Sequence, residues 1–198
     1  MSTHAGFAAA APAFSRLGAL FRRFAGRESA FRPVRGGVQN GIIRFKLTGR
    51  GMTDEQWLAR FKARGIRVED QARSVLRTSE FKPAEGVVAA EVAILKDAIW
   101  RGCDRSTENI RVFAAGHGLG RPNADLACLI RDSLSDQEIE AMGLRWIVAM
   151  HEPIKDPYGD PGLLAAGPGR CLDAYCVRPG QTWKRGIGFA FIVPQASP

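Results

Sequence analysis

The segment LRWIVAMHEPI, residues 144–154, constrains the fold more than any other part of this sequence. In an extended chain its apolar side chains alternate between two faces, with Trp146, Val148 and Met150 on one face and Ile147 and Ala149 on the other. A strand with two apolar faces is typical of the centre of a sheet that is covered on both sides. Pro153 lacks a backbone N–H, so regular pairing is predicted to end there.

The order of the predicted elements favours an α+β fold. Strands are predicted near residues 42–48 and 86–95, and helices occupy most of the sequence between these strands and the central one. Two helix starts carry capping boxes, Thr53 with Gln56 and Ser135 with Glu138. Three strand-like segments follow residue 162 at short spacing. We therefore expect about four helices, a mixed or mainly antiparallel sheet, and antiparallel hairpins at the C-terminus.

Positive charge is concentrated at the N-terminus. The chain carries a net charge of +8, and residues 1–35 contribute six arginines against a single acidic residue, Glu28. Residues 101–198 contain eleven basic and eleven acidic residues and are neutral. We expect residues 1–35 to form a basic, flexible tail and residues 36–198 to form a single α+β domain, with Gly36-Gly37 as a hinge.

The tail has the pattern of a short basic amphipathic helix. Its large apolar side chains recur at helical spacing, at Phe14, Leu17, Phe21 and Phe24. Arg22 and Arg23 lie among them, and acidic residues are almost absent. Three interpretations stay open: a targeting segment, a helix that contacts anionic lipid or nucleic acid, and an unstructured tail.

Several classes of protein are excluded by composition and motif. No apolar run approaches the roughly 18 residues that a membrane-spanning helix needs, so we expect a soluble chain without a transmembrane segment. The four cysteines form no C-x-x-C motif, and neither a disulfide framework nor a tetrahedral metal site is indicated. We predict a reducing, cytoplasmic location, with no cofactor and no metal. Oligomeric state is not indicated.

The first functional hypothesis is a small basic binding or accessory protein. The helix that begins after Thr53 carries basic residues on its outer side and just beyond its end, at Arg60, Lys62, Arg64 and Arg67. Together with Arg22 and Arg23 of the tail, these side chains could neutralise phosphates and release counterions. No nucleic-acid motif is present, so this hypothesis implies weak, non-specific nucleic-acid binding or a protein partner. A solvated helix face is the simpler interpretation.

The second hypothesis is a hydrolase-like enzyme with its site at His151 and Glu152. A histidine at the end of a strand can act as a general base, and a carboxylate can orient it. On an extended chain Glu152 points away from His151, so another carboxylate, such as Asp156 or Asp160, would have to orient the imidazole. The simpler interpretation is a hydrogen-bonded structural corner. Whether His151 lines a cleft and meets a carboxylate distinguishes the two.

Five short segments carry a resemblance to other proteins: GMT at 51–53 with Trp57, ACLIR at 127–131, EAMGL at 140–144, MHEPI at 150–154 and GFAF at 188–191. With them the sequence resembles a group of short, uncharacterised bacterial proteins that have no assigned activity. The resemblance covers most of the chain apart from the tail. It implies a bacterial origin, which weakens the targeting interpretation of the tail, and it implies no site residue or cofactor.

Overall fold

The computed structural model describes residues 31–101 and 104–194. The strands of the described chain are β1 (Phe31–Gln39), β2 (Ile42–Arg50), β3 (Arg67–Val68), β4 (Val87–Lys96), β5 (Trp146–Ala149), β6 (Ile154–Lys155), β7 (Pro161–Gly167), β8 (Cys171–Cys176) and β9 (Ile187–Val193). The helices are α1 (Asp54–Ala63), α2 (Asp70–Leu76), α3 (Thr107–Gly116), α4 (Asp125–Ser133) and α5 (Asp136–Ala141), with a short 3-10 helix at Asp97–Ile99.

One mixed sheet contains the nine strands of the described residues. The strand order is β1-β2-β4-β9-β5-β7-β8-β3, and β6 pairs with β7 outside this order. The β5–β9 and β3–β8 pairs are parallel, and the other pairs are antiparallel. The predicted α+β class and its mainly antiparallel sheet are therefore confirmed. The hairpins β6–β7 and β7–β8 confirm the predicted antiparallel C-terminal pairing.

Strand β5 has the central position that its two apolar faces predicted. It lies between β9 and β7, and its residues Ile147, Val148 and Ala149 are buried. Ile147 and Ala149 belong to one apolar cluster, whereas Val148 and Met150 belong to the other. The sheet therefore separates two hydrophobic cores, and β5 contributes to both.

The predicted capping boxes begin α1 and α5. The Thr53 hydroxyl accepts from the backbone N–H of Gln56, whose side chain accepts in return from the N–H of Thr53. Ser135 and Glu138 make the same reciprocal pair at the start of α5. Each box satisfies backbone donors that the first turn of a helix leaves free, which is why these starts could be located from sequence.

Strand β9 departs from the expected hairpin arrangement. It does not pair with β8, but returns to the middle of the sheet, antiparallel to β4 and parallel to β5. Small residues on one face permit this insertion: a Cβ at Gly188 would lie 2.6 Å from a side-chain carbon of Ile94 and 2.7 Å from one of Leu144. Phe189 and Phe191 fill the other core. The alternation of small and aromatic residues thus fits β9 between two strands rather than at an edge.

The first strand extends into the segment that we assigned to the tail. β1 begins at Phe31 and pairs with β2, and its register shifts between Pro33 and Val38. The Gly36-Gly37 pair, expected to be a hinge, lies inside this irregular stretch of strand. The sheet therefore includes residues 31–35, which the sequence pattern places in the tail.

The helices divide unequally between the two faces of the sheet. Four of them, α1, α2, α4 and α5, cover one face, where Trp57 stacks on Phe61 with ring centroids 5.3 Å apart. The other face is covered by α3 and by the segment before β9, which contributes Trp183. No helix in the described part of the chain is long and apolar enough to cross a membrane.

Candidate functional site

His151 lies at the end of the central strand with both ring nitrogens engaged by backbone groups. Its side chain is buried, and Nε2 accepts a hydrogen bond of 3.0 Å from the backbone N–H of Leu164 on β7. Because Nε2 accepts, the ring proton lies on Nδ1, which donates to the Glu152 carbonyl at 2.6 Å. The imidazole is therefore a neutral link between β7 and the loop that follows β5.

The charges around His151 oppose its protonation. Burial, together with the positive charge of Arg111, lowers the pKa of His151 to about 3. Arg111 donates from Nη2 to the His151 carbonyl at 2.8 Å, and its own pKa is lowered by burial and by the nearby Arg121. Glu152 points outward and pairs with Arg121. No carboxylate of the described residues hydrogen-bonds the His151 ring.

This geometry weighs against the hydrolase hypothesis. A general base needs a free lone pair and a pKa near the working pH, and His151 has neither. Asp156, a candidate to orient the imidazole, instead accepts from the N–H groups of Tyr158 and Asp160 in a surface turn. The observations support the structural corner that was the simpler interpretation of the His151-Glu152 pair.

The basic side of α1 is largely engaged by one aspartate. Arg60 makes two hydrogen bonds to the carboxylate of Asp132, at 2.9 and 2.8 Å. Arg64 donates to the same side chain at 2.5 Å and to the Asp132 carbonyl at 2.7 Å. Asp132 lies on α4, so these bonds fasten α1 to α4. Two of the four cations predicted for binding have a structural role here.

Two further predicted binding residues, Lys62 and Arg67, differ in their ion pairing. Arg67 pairs with Glu69 at 2.6 Å, which leaves Lys62 exposed and without an ion pair among the described residues. Arg22 and Arg23 lie outside the described residues. The predicted basic helix face therefore presents less free positive charge than its sequence suggests.

A cleft on the opposite face of the sheet combines cations with aromatic rings. Its volume is about 410 Å³, and its lining includes Arg145 and Trp146 at the start of β5, Tyr175 on β8, and Lys184 and Arg185 before β9. Trp183 and Ile187 complete the apolar side of the cleft. The volume falls within the range of small-ligand sites, about 300–1,000 Å³.

The aromatic rings of the cleft form a connected series. Tyr175 lies edge-to-face against Trp146, with centroids 5.3 Å apart, and against Trp183, with centroids 5.7 Å apart. Trp183 is buried, whereas Trp146 and Tyr175 are partly exposed. Burial raises the pKa of Tyr175 to about 12, so its phenol is uncharged at neutral pH. The cleft thus offers two partly exposed rings and no phenolate.

The cations of the cleft have few acidic partners. Among the described residues, Arg145 and Lys184 have no carboxylate within 4 Å, and Arg185 approaches Asp97 at 4.0 Å. All three are exposed. Their charge is therefore available to an anionic ligand, in contrast to the charge of Arg60 and Arg64.

Hydrogen bonds hold the two walls of the cleft together. The N–H groups of Arg145 and Trp146 both point to the Gly186 carbonyl, at 2.8 and 3.3 Å. The N–H of Gly186 donates to the buried Asp97 at 3.2 Å. The indole N–H of Trp183 donates to the Thr107 hydroxyl of α3 at 3.0 Å. The cleft is consequently built on the central sheet rather than on a free loop.

The sequence did not lead us to this cleft. The sequence pattern predicts Trp146 as a core residue and contains no motif that marks the run Trp183-Lys184-Arg185. One signal was present, since that run places an aromatic residue beside two cations between a Pro-Gly turn and a strand. The pairing of this run with Arg145 and Trp146 depends on the parallel register of Trp146 with Ile187.

No protein-family model, curated protein or solved structure matches the chain. The resemblance to short bacterial proteins therefore stays a prediction. Within residues 31–101 and 104–194, no group of three or more His, Cys, Asp or Glu side chains is placed to hold a metal ion.

Proposed function

We propose that this protein is a small basic binding protein that binds nucleic acid weakly and without sequence specificity, through the cleft formed by Arg145, Trp146, Tyr175, Lys184 and Arg185. The observation that carries the proposal is the combination of exposed cations, of which Arg145 and Lys184 have no acidic partner among the described residues, with partly exposed aromatic rings in one cleft. Cations neutralise phosphates, and aromatic rings tolerate every base, so this combination favours binding without readout of sequence.

A neighbouring depression in the surface favours a ligand that extends beyond the cleft. It has a volume of about 460 Å³, is lined by Cys176 and by the turn from Arg178 to Gln181, and shares Gln181 with the cleft. Arg178 is exposed and adds a further cation beyond the first three. A polyanion that follows both depressions would meet positive charge along its length, which suits a nucleic-acid backbone better than a compact anion.

The test is the salt dependence of binding to a labelled single strand. The variant Arg145→Gln/Lys184→Gln removes two unpaired cations of the cleft. It is expected to reduce the magnitude of the slope of log K against log salt by about 1.4, since each phosphate contact on a single strand contributes about 0.7. Fluorescence anisotropy of a short labelled oligothymidylate across a salt series measures this slope.

The matched control is Lys82→Gln/Lys155→Gln, which removes the same charge from exposed lysines outside the cleft. We expect its slope to equal that of the unchanged protein. If the two variants changed the slope equally, binding would depend on the net charge of the protein rather than on the cleft. A third variant, Arg22→Gln/Arg23→Gln, measures the contribution of the N-terminal segment. No binding of single strand or duplex at low salt would overturn the proposal.

A further inference from the structure

The two walls of the cleft place rings and cations at different depths. The rings of Trp146 and Tyr175 lie against the sheet, and the charged ends of Arg145, Lys184 and Arg185 are exposed. A ligand that contacted both the rings and the cations would carry a planar apolar group with an anionic group attached to it. A nucleotide has this composition, because its base stacks on aromatic rings and its phosphate pairs with cations.

We propose that the cleft accepts one unpaired base of a single strand, stacked on the indole of Trp146 with its edge toward Tyr175, with the adjoining phosphates bound by Arg145, Lys184 and Arg185. This inference rests on the proposed nucleic-acid binding and names the form of nucleic acid that the cleft selects. A base in a duplex is stacked and paired, and it would have to leave the helix to enter the cleft. The protein consequently prefers single strands to duplexes.

The packing of Trp146 orients its indole ring before a base binds. One edge of its indole lies over Gly167, where an added Cβ would come within 2.1 Å of the ring. The ring of Tyr175 lies against it at an interplanar angle of 87°. Held between a glycine backbone and a second ring, the indole is already oriented before a ligand arrives. Little side-chain entropy is then lost when a base stacks on it.

The decisive comparison uses two single strands that differ only in their bases. One is a short oligothymidylate, and the other is an abasic deoxyribose-phosphate strand with the same number of phosphates. If one base is stacked in the cleft, the full-length protein is expected to bind the oligothymidylate about 5-fold to 150-fold more tightly. Tryptophan fluorescence should be quenched by the base-bearing strand only.

Substitutions in the protein test whether Trp146 is responsible for the preference for the base-bearing strand. Trp146→Leu is expected to abolish the preference for the base-bearing strand over the abasic strand. Tyr158→Leu is the control, because Tyr158 is 90% exposed and does not line the cleft. Circular dichroism shows whether Trp146→Leu is folded, and the comparison of the two strands on the unchanged protein does not depend on any variant.

The outcomes separate the two proposals. Equal affinity for the two strands, with normal salt dependence, would overturn the base-stacking inference and leave nucleic-acid binding intact. Tighter binding of a duplex than of the oligothymidylate would also overturn it. If the protein binds neither strand nor duplex at low salt, both proposals fail.

Discussion

Replacing Arg131 with methionine is expected to lower the free energy of unfolding by about 3 kcal/mol. The guanidinium is almost fully buried, and Nη1 donates to Asp136 at 2.8 Å and to the Gly167 carbonyl at 2.5 Å, while Nη2 donates to the Leu134 carbonyl. Methionine fills much of the volume but leaves these acceptors without their donor. The large loss of stability comes from buried acceptor oxygens that are left without a hydrogen-bond donor, rather than from the loss of one ion pair.

Urea unfolding of the two proteins at neutral pH measures this change. The control is Arg60→Met, where the arginine side chain is 42% exposed and its pair with Asp132 is partly screened by water. We expect the control to lose less than about 1 kcal/mol. If Arg131→Met were as stable as the unchanged protein, the buried hydrogen bonds would be contributing no more than an apolar side chain of similar size.

The Arg131 variant is also expected to disturb the cleft from the opposite side of the sheet. Gly167 connects the two, since its carbonyl accepts from Arg131 and its Cα faces the indole of Trp146. Loss of the Arg131 bond frees the end of β7 on which Trp146 is packed. Altered Trp146 fluorescence in a variant that is still folded would demonstrate this connection.

The second large effect is a loss of stability in mild acid that depends on His151. The folded protein holds the pKa of His151 at about 3, whereas an unfolded histidine titrates near 6.5. Between these values the unfolded chain binds one more proton than the folded chain, so stability falls as the pH falls. The contribution of His151 to the free energy of unfolding is fully present above pH 6.5. Between pH 7 and pH 5 we expect a loss of about 2 kcal/mol from this residue.

The variant His151→Gln isolates this effect. Glutamine has no charge change in this range, and its side-chain oxygen can reach the position of Nε2 and accept from Leu164. We expect the variant to be less stable than the unchanged protein at pH 7 and to lose about 2 kcal/mol less between pH 7 and pH 5. Urea unfolding at both values measures the difference. Equal losses in the two proteins would mean that His151 titrates normally and would reopen its candidacy as a general base.

The two hypotheses drawn from the sequence meet the same obstacle, because each depends on whether a local group is already paired with a residue far along the chain. The charge of Arg60, Lys62, Arg64 and Arg67 is visible locally, but its availability depends on partners elsewhere. Asp132 is 72 positions from Arg60 and neutralises it. The lone pair of the His151 imidazole is likewise occupied by a hydrogen bond from the backbone N–H of Leu164, 13 positions further on. A chain pattern shows which groups are present and not which of them are already paired.

By itself the sequence determined the α+β class, the central place of residues 146–149 and the starts of α1 and α5. Each follows from local physics: two apolar faces require cover on both sides, and a capping residue satisfies helix donors within three positions. The tertiary structure alone decided the insertion of β9 between β4 and β5, and with it the cleft. Arg145-Trp146 and Trp183-Lys184-Arg185 lie about forty positions apart, and only the parallel register of Trp146 with Ile187 brings their rings and charges together. Strand order is set by the packing of whole faces, such as Gly188 against Ile94 and Leu144, and no short window of sequence contains that information.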